Sequence, residues 1–92
     1  MTIPRNFKDP TYTVYWVESF IASQRAMAIE YQATHLQDTI EMAQAWLTLL
    51  RKREQSKEEV SRLLDVLVKG DREHGTAWTV LLSAFREWIP EG

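Results

Sequence analysis

Residues 22–50 read ASQRAMAIEYQATHLQDTIEMAQAWLTLL, and the reading of this stretch decides the fold. Ala22, Ala26, Ile29, Ala33, Leu36, Ile40, Ala43, Leu47 and Leu50 follow alternating steps of four and three, the a/d spacing of a helical seam. No Gly or Pro interrupts the chain from Thr11 to Glu54, and the composition there favours good helix formers. The soft place is Gln32 to Thr39, where Thr34, His35, Asp38 and Thr39 have low helix propensity and Thr34 with Gln37 fits a capping box. A break usually resets the phase of an apolar seam, and this seam keeps its phase. The pattern therefore favours one helix from Pro10 to Glu54, roughly 65 Å long at 1.5 Å per residue, which would need a partner chain to cover it. The alternative is a hairpin of two helices turning at Gln32 to Asp38.

Outward from this stretch the punctuation is clearer. Asp9-Pro10 marks a helix start, because Asp caps the first free N–H groups and proline at the next position gives up no hydrogen bond. Residues 1–9 read as an extended arm whose Ile3 and Phe7 suit a strap docking on a neighbouring subunit or target. Ser56 with Glu59 fits a second capping box, opening a helix from about Lys57 to Lys69, after which Gly70 is expected as the left-handed closing residue. A last helix spans Thr76 to Trp88 and stops before Pro90. The expected architecture is all-α: an arm at 1–9 and one helical domain at 10–92, a bundle of three or four helices, dimeric.

The dimer expectation comes from counting apolar faces. Besides its seam, the first helix carries Tyr12, Trp16, Phe20, Met27 and Tyr31 along a second stripe, and Met42, Trp46 and Leu49 do the same for the second. The third and fourth helices have one apolar stripe each, so the chain is expected to present more apolar face than a 92-residue monomer covers. Large exposed apolar patches rarely persist unbound, and two-fold homodimers are the commonest closed assembly. Phe7, Tyr12, Trp16, Phe20, Met27, Tyr31 and Trp46 are accordingly the candidate interface residues, with Trp16 and Phe20 as aromatic anchors.

Composition narrows the function. The chain has 11 Lys+Arg against 13 Asp+Glu, a net charge of −2, which disfavours nonspecific nucleic-acid binding. There is no cysteine, so thiolate metal sites, disulfides and catalytic thiols are excluded. The two histidines, His35 and His74, have only Asp38 and Asp71 a turn away, short of the three or four ligands a metal needs. Three glycines, at 70, 75 and 92, leave no phosphate-binding loop, and no serine sits in a nucleophile elbow. No catalytic, cofactor or metal site is expected, and no string is specific enough to serve as a family signature. Without a signal peptide or an apolar run near the roughly 18 residues of a membrane span, a soluble cytoplasmic protein is the expectation. The functional expectation is a non-enzymatic interaction module, a small regulator or adaptor that masks a partner protein's surface, for example an anti-activator. The alternative is a DNA-associated dimer using Arg51, Lys52, Arg53 and Arg62 as a basic patch.

Overall fold

The Asp9 carboxylate accepts the backbone N–H of Thr11 at 3.0 Å and of Tyr12 at 3.5 Å, and Pro10 takes the first helical position, so the first helix starts where its cap dictates. The computed structural model, which describes residues 6–34, 36–52, 54 and 56–89, contains four α-helices: α1 (Pro10–Glu30), α2 (Leu36–Arg51), α3 (Lys57–Gly70) and α4 (Thr76–Trp88). No strand occurs among the described residues. The boundaries of α3 and α4 fall within a residue of those that the caps and Pro90 predict.

The continuous helix favoured by the seam does not form. Tyr31 closes α1, its N–H bonding back to the Met27 carbonyl at 3.0 Å, and Gln32 turns through a left-handed backbone with φ of 50°. The chain then reverses, and α2 packs along α1. The molecule measures 39 Å in its longest dimension, far short of the roughly 65 Å that one 45-residue helix would span. The sequence phase survives this turn by coincidence. In α2 the seam residues Leu36, Ile40 and Ala43 are buried, whereas in α1 Ala22, Ala26 and Ile29 face solvent, with Ile29 80% exposed. The face of α1 that packs is instead Thr13, Val17, Ile21 and Gln24, flanked by Tyr12, Trp16 and Phe20.

Helix α2 is central, in contact with α1, α3 and α4, while α3 and α4 pair with each other. An aromatic cluster joins these elements through Trp46, which is fully buried. Its ring lies 5.9 Å from Trp16 of α1, 5.3 Å from Phe85 and 5.8 Å from Trp88 of α4, and 6.1 Å from Phe7. Aromatic pairs at these separations contribute beyond the area they bury. The Trp46 indole N–H and the Gln24 side-chain oxygen are buried without a hydrogen-bond partner among the described residues.

Two further local expectations are corrected. Gly70 is the last residue of α3 with no positive φ, so it is not a left-handed closing residue. It is needed because Trp78 of α4 lies over its Cα: a Cβ there would sit 2.8 Å from the indole Cε2, and the indole N–H donates to the Leu67 carbonyl at 2.8 Å. Ser56 occupies the cap position of α3 with extended backbone but makes no side-chain capping bond. Glu59 turns to Lys52 instead, at 2.8 Å, and ties the end of α2 to the start of α3.

Candidate functional site

Of the seven residues singled out by the aromatic pattern, Phe7 and Trp46 belong to the buried core, and Tyr12, Trp16 and Phe20 pack half-buried against it. Phe7 is 3% exposed and packs edge-on against Tyr12 at 5.4 Å and Trp16 at 5.3 Å. Trp16 stacks on Phe20 at 5.3 Å, and Trp46 is enclosed. Tyr12, Trp16 and Phe20 keep part of their surface in water. Met27 and Tyr31, at the end of α1, are exposed.

Phe7 explains much of the apparent surplus of apolar face, because it covers the aromatic stripe of α1 from within the same chain. Residues 6–9 make a turn, with the Asp9 N–H bonded to the Asn6 carbonyl, and are not extended. The buried Thr13 hydroxyl donates to the Phe7 carbonyl at 2.7 Å, and the Lys8 ammonium donates to the Ile89 carbonyl at 3.2 Å. This segment is thereby pinned to both ends of the domain. Ile3, the other apolar residue of the proposed strap, lies outside the described residues.

The apolar surface left accessible is elsewhere. Between α2 and α3 runs an open groove of about 380 Å³ whose floor is Met42, Ala45, Leu49, Leu63 and Val66. Val66 is 43% exposed. Lys52, Glu59 and Arg62 form the rim, with the Lys52–Glu59 ion pair at one edge. Arg62 has no ion-pair partner among the described residues. Sequence reasoning assigned Met42 and Leu49 to a second stripe of α2 and so touched this region. It missed Val66, which lies off the α3 stripe of Val60, Leu63, Leu64, Leu67 and Val68.

The remaining candidates are placed as follows. A cleft of about 370 Å³ lies where Met27, Leu36 and Thr39 meet the start of α4 at Glu73 to Ala77. The His74 ring borders it, stacked on Trp78 at 3.9 Å, with Nδ1 2.9 Å from the Gly70 carbonyl and Nε2 3.4 Å from Asp38. The Gly70 carbonyl, with help from Asp38 and Glu73, holds the imidazole pKa above its usual value against the opposing effect of desolvation. No cluster of three metal-ligating side chains occurs among the described residues, and His35 lies outside them. Of the basic run, Lys52 is paired with Glu59, Arg51 lines a second groove with Glu18 and Arg25, and Arg53 lies outside the described residues. No helix of the described residues is long and apolar enough to cross a membrane. No family model, curated protein or solved structure matches the chain.

Proposed function

We propose that this protein is a non-enzymatic interaction module, a small regulator or adaptor that binds a partner protein and masks part of its surface. The observation that supports the reading is the α2–α3 groove, an apolar floor of Met42, Ala45, Leu49, Leu63 and Val66 under a charged rim. An amphipathic helix lays its apolar face into such a groove through residues spaced at i, i+3, i+4 and i+7. The occupant that fits is a helix of a partner protein with a carboxylate along one edge, because Arg62, at the rim, has no ion-pair partner among the described residues. Trp16 and Phe20 are half-buried against Phe7 and Trp46, so we place the contact at this groove and not on them.

The experiment is capture from native extract with wild-type protein, Val66→Glu and Ala22→Glu, followed by reconstitution of each candidate complex from purified components. Val66 and Ala22 are both exposed, so neither change disturbs the core. The expected result is a protein bound by wild type and Ala22→Glu but at least tenfold more weakly by Val66→Glu, with weaker binding also for Arg62→Glu. Captured proteins that are all indifferent to Val66→Glu would contradict the reading.

A further inference from the structure

The first turn of α4 is left uncapped. Gly75 stands at the cap position with no side chain to accept the first backbone N–H groups, and no other part of the chain lies within 4 Å of where its Cβ would be. The N–H groups of Trp78 and Thr79 return to the Gly75 carbonyl, whereas those of Thr76 and Ala77 make no hydrogen bond among the described residues. Thr76 and Ala77 line the cleft of about 370 Å³ at this corner. That volume lies within the roughly 300–1,000 Å³ of small-molecule pockets.

The facing wall gives an independent sign of a ligand. Thr39 of α2 lines the same cleft and is 2% exposed, yet its hydroxyl has no hydrogen-bond partner among the described residues. The other buried threonine, Thr13, is satisfied by the Phe7 carbonyl. A buried hydroxyl and two free amide N–H groups bordering one space call for an acceptor there, since leaving buried donors unpaired is costly. His74 is wall and not ligand, because its ring nitrogens already face the Gly70 carbonyl and Asp38. Met27, Leu36 and Ala77 make the remaining surface apolar.

The charges narrow the ligand further. A carboxylate suits a helix N-terminus. Three acidic side chains already surround this one, however: Asp38 against His74, Asp71 on the Thr79 hydroxyl, and Glu73 lining the cleft. Arg72 is exposed and does not line the cleft. A simple anion would be repelled, and Glu73 has no ion-pair partner among the described residues. A ligand with an ammonium beside its carboxylate satisfies both ends.

We infer that this cleft binds a free α-amino acid with an apolar side chain. Its carboxylate takes the Thr76 and Ala77 N–H groups and the Thr39 hydroxyl, its ammonium turns to Glu73, and its side chain lies against Met27 and Leu36. The site shares no residue with the α2–α3 groove, so it is independent of the partner-binding reading.

Two-dimensional amide NMR of the full chain, titrated with L-leucine, L-methionine and L-phenylalanine at millimolar concentration, tests this. At least one is expected to give saturable shifts at Thr39 and residues 73–78. Isocaproate and isoamylamine, which keep the leucine chain but carry one charge each, should bind at least tenfold more weakly than leucine. Gly75→Asp supplies the missing cap from within the chain, so it should weaken amino-acid binding at least tenfold without lowering the melting temperature. Thr39→Val should weaken it several-fold, and Val66→Glu should leave it unchanged. Absence of saturable shifts with all three amino acids would overturn the inference, as would unchanged binding by Gly75→Asp. Isocaproate binding as tightly as leucine would overturn the role of Glu73.

Discussion

Gly70 shows how a residue's role depends on what approaches it. In a helix terminus, Gly→Ala ordinarily stabilises by up to about 1 kcal/mol by reducing backbone freedom. Here the added methyl would meet the ring of Trp78, whose position is fixed by its bond to the Leu67 carbonyl and by the stacked His74. Overpacking of this kind costs about 1–3 kcal/mol. Gly70→Ala is therefore expected to lower the unfolding free energy in urea by about 1–3 kcal/mol; an unchanged or higher stability would mean that the indole shifts freely. In the sequence, Gly70 was legible as the end of α3 but not as a neighbour of Trp78. That contact depends on where α4 lies after the turn, which local spacing does not encode. The same holds for Phe7, whose isolation in a polar segment signals that it docks somewhere without saying on which surface.

Elements are joined by a few polar contacts between successive turns. Lys52–Glu59 links α2 to α3, and His74–Asp38 links the α3–α4 corner to the start of α2. The second link is titratable. Protonated, the ring donates from Nδ1 to the Gly70 carbonyl and from Nε2 to Asp38; neutral, it has a single N–H and loses one of these bonds. Because the folded pKa is raised above the usual 6.5, His74 contributes stability that is full below pH 6.5 and is lost as pH rises through the higher folded value. Melting temperature should thus fall with rising pH above 6.5, more steeply in wild type than in His74→Gln. A wild-type protein whose melting temperature rose relative to His74→Gln over that interval would contradict the account. At this scale the sequence was informative about helix ends: the starts at Asp9-Pro10 and Lys57 and the stop at Trp88 were signalled by capping residues and prolines, and the start at Thr76 by the polar connection before it. The capping box at Ser56 was not, because Glu59 has a competing cation in Lys52 that is adjacent only after α2 and α3 fold together.

The whole molecule inverts the assignment of the two apolar faces of α1. The aromatic stripe, with its large side chains, resembles an interface, and the alanine-rich seam resembles a core contact. In the structure Trp16 and Phe20 are half-buried against the core, Trp16 beside Phe7 and Trp46, while Ala22, Ala26 and Ile29 face out. The seam's unbroken phase across Gln32 to Thr39 concealed this, since a single left-handed residue at Gln32 redirects the chain without altering the spacing on either side. Everything proposed about binding rests on that turn. It can be tested directly, because the chain lacks cysteine and accepts a unique pair of spin labels. Labels at Glu18→Cys and Thr48→Cys, which line one groove between α1 and α2, should report a short distance, that of adjacent helices with axes about 8–10 Å apart plus the label linkers. Dilution with unlabelled protein keeps the measurement within one chain. A distance near 45 Å, the span of thirty residues in one continuous helix, would contradict the account and restore the long helix with its aromatic stripe turned outward.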